Sequence, residues 1–462
     1  MTEQLKLKLN DSKATRWGAL VIVAFTMMAA YYVNDVVAPL KTMLETDLAW
    51  SSTDFGFFTG GYSFLNVFFL MLIWGGLILD RFGIRFTGKL ATILMVGGTA
   101  LEYYAMTGLA GADATLFGIN EIFGYKTGVF VAFAGYSIFG VGAEVAGITV
   151  SKIIAKWFKG KELATAMGVQ VALARIGSQA GYAVAIPLAR AFGISTPVLL
   201  GLVLLLGGMI AFFIFAVMDK KLDKQMEAAA IAAGTEDEEE KFSFKDVKNI
   251  LVNPGFWLIA LLCVLFYSCV FPFQKFASEL MIIKYGINEN VAGTFAGLPA
   301  LGALILTPVF GGFIDKRGKS ASIMLLGSAM LICVHFIYAI PDINYWLVAI
   351  VLMIILGIAF SLVPSAMWPS VAKIFPAHQL GTAYALIFFI QNIGFWGIPT
   401  LIGAVLNNYC VIGKVDGANL YDYTLPMCIF TGIAVLSLLV AFALKIADKK
   451  FGYKLEEANI QK

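Results

Sequence analysis

The chain has 462 residues, of which 60% are hydrophobic and only 14% charged, with a mean hydropathy of +0.83. No soluble globular domain needs that composition, so the sequence describes a polytopic helical membrane protein and gives no support to nucleic-acid binding. The formal net charge is only +3, so the placement of the cations says more than their number.

Sixteen polar and charged residues precede the first apolar run, which is too long for a signal peptide and is expected to stay as a membrane helix. About 20 apolar residues are needed to cross roughly 30 Å of hydrocarbon. Counted on that basis, the spans are 17–40, 55–79, 88–109, 127–150, 163–189, 196–218, 256–283, 291–314, 320–340, 345–371, 381–406 and 425–447. Twelve transmembrane helices in two pseudo-symmetric six-helix bundles make this an all-α membrane protein. The expected organisation is a cytoplasmic N-terminal tail (1–16), a first bundle (17–218), a cytoplasmic linker (219–253), a second bundle (254–447) and a cytoplasmic tail (448–462). The linker carries the acidic run Glu236, Asp237, Glu238, Glu239, Glu240, which reads as a solvated segment. Five scattered cysteines lack metal-ligand spacing and read as packing residues.

With the termini and the linker inside, 26 of the 33 Lys and Arg fall on cytoplasmic segments. Lys41, Lys126, Arg190, Lys275, Lys284 and Lys414 fall outside, and Arg175 lies within a span. This bias sets an N-in, C-in topology. The two halves echo each other after their second spans: GGLILDRFGIR at 75–85 answers GGFIDKRGK at 311–319. The acids and bases of these loops, Asp80, Arg81, Arg85, Asp315 and Lys316, are expected to gate the cytoplasmic side, while the glycines let helix backbones approach.

Two ionisable residues stand out inside spans. Glu144 and Arg175 lie in the fourth and fifth, and charges in hydrocarbon mark function by default. Both are equally distant from the basic turn at Lys159-Gly160, so an antiparallel hairpin would place them at similar depth. They read as holders of the two ends of a small zwitterion, the alternative being a structural pair with each other.

The paired loop pattern resembles the signature of the major facilitator superfamily, over the whole chain. The strings FGVGAE (139–144), KWFKGKEL (156–163) and ARIGS (174–178) are similar to a narrower branch, the lysosomal dipeptide transporters. WGGLILDRFGIR (74–85), YSCVFPF (267–273), MWPSVAKIFPAHQLGTAY (367–384) and IQNIG (390–394) carry the same likeness. This resemblance implies alternating access around a midplane site. It also implies facilitated dipeptide uniport, with Glu144 on the peptide ammonium and Arg175 on its carboxylate. Charged ends roughly 7 Å apart in an extended dipeptide suit such a pair, and the planar guanidinium suits a carboxylate. The E-x-x-E-R pattern of proton-coupled peptide transporters is absent from the first span, which reads AYYVND at 30–35.

Further candidates for the binding cavity are Tyr31, Asp35, Tyr62 and Asn66 in the first two spans, with Asp35 also readable as a gate residue near the outer end. Gln274, Lys275 and Glu279 follow Pro272, and Lys275 and Glu279, four apart, are expected to pair with each other. Trp368, Gln391 and Asn392 are the binding candidates of the C-terminal half. His335 reads as a satisfied packing residue, and His378 as a solvated or gating loop residue. No enzyme chemistry, cofactor or metal is expected; the expected partners are a dipeptide and membrane lipid, with a monomer as the functional unit. The expected location is the plasma membrane, in a bacterium the inner membrane. The competing readings are a proton-coupled carrier of another small carboxylate or zwitterion, and a membrane sensor without flux.

Overall fold

The computed structural model describes residues 8–111, 114–158, 161–233, 244–415 and 418–458. Lys159, Gly160 and the acidic run at 236–240 lie outside the described residues, as does the side chain of His378.

The first half is built from α1 (Lys13–Val36), α2 (Lys41–Leu48), α3 (Ser52–Phe68), α4 (Met71–Thr107), α5 (Thr127–Trp157), α6 (Leu163–Phe192) and α7 (Thr196–Ala233). The second contains α8 (Phe244–Val252), α9 (Pro254–Tyr285), α10 (Glu289–Ala296), α11 (Leu298–Arg317), α12 (Ser320–Ala339), α13 (Trp346–Ile374), α14 (Ala377–Tyr409) and α15 (Thr424–Phe451). Two short antiparallel hairpins, β1 (Glu121–Ile122) with β2 (Tyr125–Lys126) and β3 (Val411–Val415) with β4 (Ala418–Tyr421), decorate loops on the side away from the termini. Helix α7 runs past the end of its apolar stretch, and α8 occupies the end of the polar segment between the halves.

Among the described residues, nine helices are long and apolar enough to cross a membrane, and the bent pair α3 and α4 makes ten. The count reaches the twelve of the fold through two features. The pair α3–α4 contains two crossings, because α4 is broken at Gly83, where φ is +75°. Helix α6 carries Gln170, Arg175, Gln179 and Arg190, which dilute its hydropathy although it packs along α1 as a bundle helix.

The repeated loop has a shared backbone cause. Gly83 and Gly318 each stand three residues after the aspartate of their motif, and both have positive φ, +75° and +69°. Only glycine enters that region without steric cost, so the turn that reverses the chain there depends on it.

Ion pairs tie the inner ends of the first-half helices together. Lys156 of α5 donates to Asp219 at 2.7 Å and Asp223 at 2.5 Å on α7, and Arg85 of α4 reaches Asp223 at 2.7 Å. Arg16 of α1 makes a fork onto Glu162 at 2.9–3.1 Å. Lys161 bonds to Asp11 at 2.9 Å, which holds that carboxyl below its ordinary range. In the second half the C-terminal segment does comparable work. Glu456 caps the start of α12 by accepting from Ser322 N at 2.8 Å and its hydroxyl at 3.0 Å, and Lys373 donates to the Glu457 carbonyl at 2.7 Å.

Candidate functional site

Small residues bring the charged positions to the junction of the halves. A Cβ at Gly140 would collide with the Tyr62 carbonyl, so the FGVGAE string is what seats α5 against α3. A Cβ at Gly177 would likewise collide with the Met28 carbonyl, so ARIGS seats α6 against α1. Helix α5 packs on α3 and α4 while α6 packs on α1, so the expected hairpin contact between α5 and α6 is slight. A cavity takes its place.

That cavity holds about 680 Å³ between the halves. Glu144 and Arg175 both line it, as do Tyr31, Tyr62, Lys275, Trp368, Gln391 and Asn392. Glu144 accepts a hydrogen bond from the Tyr62 hydroxyl at 3.0 Å. Arg175 lies against three rings, with centroids at 4.9 Å for Phe360, 5.6 Å for Tyr31 and 5.9 Å for Phe271. Among the described residues no ion pair within 4.0 Å joins Arg175 to Glu144 or to any other acid. The structural pair weighed from the sequence is therefore not formed.

The remaining candidates sort by what surrounds them. Trp368 donates to the Tyr267 hydroxyl at 3.1 Å and stacks on Phe388 at 4.8 Å. Asn392 accepts from Ser63 at 2.6 Å across the halves, and Gln391 accepts from Cys263 at 3.7 Å. Three candidates lie off the cavity wall. Asp35 is turned into a buried network, accepting from Ser178 at 2.6 Å, Asn34 at 2.9 Å and Lys275 at 3.2 Å. Gln274 is buried against α10, where it donates to the Ala296 carbonyl at 3.3 Å. Asn66 is 1% exposed, and neither amide atom has a hydrogen-bond partner among the described residues.

The expected pairing of Lys275 with Glu279 is corrected. Lys275 crosses to α1, donating to the Asn34 carbonyl at 2.5 Å as well as to Asp35, and so meets the unsatisfied carbonyls of that helix's last turn. Glu279 crosses to Lys41 at 2.6 Å and also accepts from Tyr423 and from Thr42 at 3.3 Å. Partners across the halves win over a partner four residues away, because each charge is buried and needs a close counterion.

This second cluster continues outward: Glu45 of α2 accepts from the Tyr421 hydroxyl at 3.0 Å and from the backbone N–H of Asn419 at 2.9 Å. Nearby, Arg190 of α6 pairs with Glu289 and donates to Asn290 at 2.9 Å. Among the described residues, the polar contacts between the halves lie on this outer side, apart from Ser63–Asn392 midway along the helices. The outer face is sealed and the cavity faces the side of the termini, where Ser151, Gln170 and Thr307 extend its wall.

At that inner side, Asp80 pairs with Lys152 at 2.8 Å, both exposed, and Arg81 rests over the Phe82 ring at 5.6 Å. Arg85 joins the α7 acids described above. Asp315 is half-buried and Lys316 exposed in the last turn of α11. His335 is fully buried, with Nε2 3.0 Å from the Cys269 carbonyl and its ring against Phe430, but Nδ1 has no hydrogen-bond partner among the described residues, so the ring is packed without being fully satisfied.

Several features escaped the sequence reading. Glu45 is one, and the pairing of Lys41 with Glu279 in the outer seal is another, since the sequence offered Lys41 only as an outer cation and Glu279 only as a neighbour of Lys275. Glu102 was visible: it is an acid within the third span, and it is fully buried with neither oxygen hydrogen-bonded among the described residues.

Two six-helix halves around a charged central cavity, sealed on one face, define a membrane transporter rather than an enzyme. The chain belongs to the major facilitator superfamily, whose family model matches residues 20–399. It is 29% identical over 409 residues to the lysosomal dipeptide transporter MFSD1 of Homo sapiens, covering 86% of this chain and 81% of the relative. The Mus musculus protein of the same name is 27% identical over 461 residues, covering 97% and 90%. Among solved structures, a variant of the nucleoside transporter NupG aligns with a TM-score of 0.68 at 13% identity, covering 92% of this chain and 98% of that one. The inward-open xylose transporter XylE from E. coli aligns with a TM-score of 0.65 at 16% identity, covering 92% and 96%. These two likenesses concern the fold alone.

Proposed function

We propose that the protein is an alternating-access carrier of dipeptides, working by facilitated uniport as a monomer. Glu144 holds the peptide ammonium and Arg175 its carboxylate. The observation that carries this reading is the pair of opposite charges on one cavity wall with no ion pair between them, one on a tyrosine hydroxyl and the other on aromatic faces. An acid and a guanidinium left apart in a partly desolvated cavity are the complement of a zwitterion. The naming of curated relatives as dipeptide transporters supports the same substrate class. In this reading the bundles 17–218 and 254–447 rock about the site, the 219–253 segment links them, and Asp80, Arg81, Arg85, Asp315 and Lys316 gate the inner side. The plasma membrane, or the inner membrane of a bacterium, is the location that goes with it; membrane fractionation tests that against the lysosomal location in the relatives' names.

The test is thermal stabilisation of the purified protein by dipeptides, free amino acids, tripeptides and sugars, since a ligand of the folded state raises its melting temperature by mass action. Dipeptides stabilise, and blocking either terminus abolishes the effect. A response to amino acids or sugars in preference to dipeptides overturns the assignment. A proton-coupled carrier of another small carboxylate or zwitterion is the reading that the Asp35–Lys275 contact between the halves would favour. Uptake into proteoliposomes that accumulates against a gradient and collapses with a protonophore decides for it.

A further inference from the structure

The two halves contribute unlike surfaces to the cavity. The first half supplies Glu144 and Arg175 with Tyr31, Tyr62 and Tyr136 beside them, and Lys275, Gln391 and Asn392 are among the polar lining of the second. The second supplies a continuous aromatic wall: Tyr267 and Phe271 from α9, Phe360 and Trp368 from α13, Phe388 and Phe395 from α14. Its rings lock together, with Phe271 at 5.2 Å from Phe360, 5.3 Å from Phe395 and 5.8 Å from Tyr267, and Trp368 at 4.8 Å from Phe388. The wall's indole N–H is already engaged. Trp368 Nε1 donates to the Tyr267 hydroxyl, and the Trp368 carbonyl accepts from Tyr384 at 3.0 Å. Apart from the Tyr267 hydroxyl, what the wall presents to a ligand is ring surface.

Arg175 fixes which end of a substrate meets that surface. Its guanidinium lies 4.9 Å from the Phe360 ring centre and 5.9 Å from that of Phe271, so a carboxylate held by Arg175 lies beside the wall. Glu144 is anchored instead to Tyr62 of the first half. In an α-amino acid the carboxylate and the side chain branch from one carbon. The C-terminal side chain of a bound dipeptide therefore starts within reach of these rings, while the N-terminal residue lies toward the tyrosine hydroxyls near Glu144.

On the dipeptide reading given above, we propose that the aromatic wall of the second half is a side-chain subsite for the substrate's C-terminal residue, selecting apolar and above all aromatic groups. The termini alone would leave side chains unselected; the wall adds a preference at one position. Rings stack on rings in offset or edge-on geometry and gain from burial as well. A lysine side chain at that position would instead bring a second cation next to Arg175, which like-charge repulsion disfavours.

The experiment is competition for uptake of labelled Ala-Ala into proteoliposomes of the full chain by Ala-Phe, Phe-Ala and Ala-Lys. Burying one aromatic side chain predicts that Ala-Phe competes about tenfold or more better than unlabelled Ala-Ala. Phe-Ala falls within about threefold of Ala-Ala, and Ala-Lys competes worse than either, on the same physical terms. Phe388→Leu narrows the ratio of Ala-Phe to Ala-Ala. Equal competition by Ala-Phe and Phe-Ala, or a preference for Phe-Ala, overturns the subsite while leaving the dipeptide reading intact. Absence of uptake or competition by every dipeptide overturns both.

Discussion

Arg175 of α6 and Phe360 of α13 meet across the two halves, guanidinium to ring centre at 4.9 Å, while Glu144 on the same cavity stays with Tyr62. A cation resting on aromatic faces keeps its planar donors available, whereas one paired to an acid must first break that pair. The lysine variant separates charge from shape. Arg175→Lys keeps the positive charge but loses the fork, so one or two charge-assisted hydrogen bonds to the carboxylate go. At about 1.5–3 kcal/mol, that is a loss of roughly tenfold to a hundredfold in dipeptide affinity. Dipeptide-dependent thermal shift and uptake read this directly, and the ligand-free melting temperature stays near that of the parent. Unchanged affinity would sink the assignment.

Tyr62→Phe tests the other end. It removes the hydroxyl that Glu144 accepts from at 3.0 Å and leaves the ring and its packing against Phe139 and Tyr136 in place. One hydrogen bond to a charged partner is at stake, so half-saturation rises by roughly 5-fold to 30-fold, on the order of 1 to 2 kcal/mol. An N-acetylated dipeptide has no ammonium to lose and should be equally poor with the parent and the variant. A change confined to the acetylated peptide contradicts the proposed orientation.

The outer seal makes a distinct prediction. Lys41 and Glu279 are each 2% exposed and 2.6 Å apart, so removing Glu279 leaves the buried Lys41 with only Glu45, at 4.0 Å, as its acid, at a cost of up to about 3–5 kcal/mol. That cost falls on the state in which they meet, the one closed to the outside. Glu279→Gln should therefore shift the population outward, and Ala30→Cys, on the cavity wall, should label faster with an impermeant maleimide added outside. The double variant Lys41→Met with Glu279→Leu removes both members of the pair and leaves Glu45 to its hydrogen bonds from Tyr421 and the Asn419 N–H, so labelling returns toward the parent rate. Equal labelling in all three proteins would show that the contact does not hold the gate.

The fold was legible because its signals are long: apolar runs of membrane length, a cation bias, and one motif repeated at matching places. Glu144 and Arg175 were legible because a charge in a span is conspicuous. What the sequence did not reveal was pairing. Lys275 and Glu279 stand one turn apart, and local spacing favours their mutual contact, yet each finds a buried partner contributed by the other half of the chain. Sequence spacing carries no information about that choice, which depends on how the bundles dock. Asp35 was left between a cavity and an outer gate reading for the same reason: only the approach of α6 and α9 shows that its carboxylate accepts from Ser178 and Lys275. The aromatic wall was hidden among many aromatic residues, since only packing distinguishes a ring that lines a cavity from one that faces lipid.

The paired glycines allow a comparison in which one fold supplies its own control. Gly83 has open space around its missing Cβ, so Gly83→Ala meets only the backbone strain of a positive φ, about 1–2 kcal/mol. Gly318 carries the same kind of strain, but its Cβ would also strike the backbone of Glu456 and Glu457, the segment that caps α12. Gly318→Ala must therefore cost more than Gly83→Ala, and it should loosen the C-terminal segment, raising protease sensitivity at Lys454. Gly76 lies inside α4 with nothing near its missing Cβ, so Gly76→Ala should be neutral or stabilising by up to about 1 kcal/mol. Melting temperatures of the three variants in one detergent give the order directly. If Gly83→Ala proves as mild as Gly76→Ala, the positive φ is not what the repeated loop requires of its glycine.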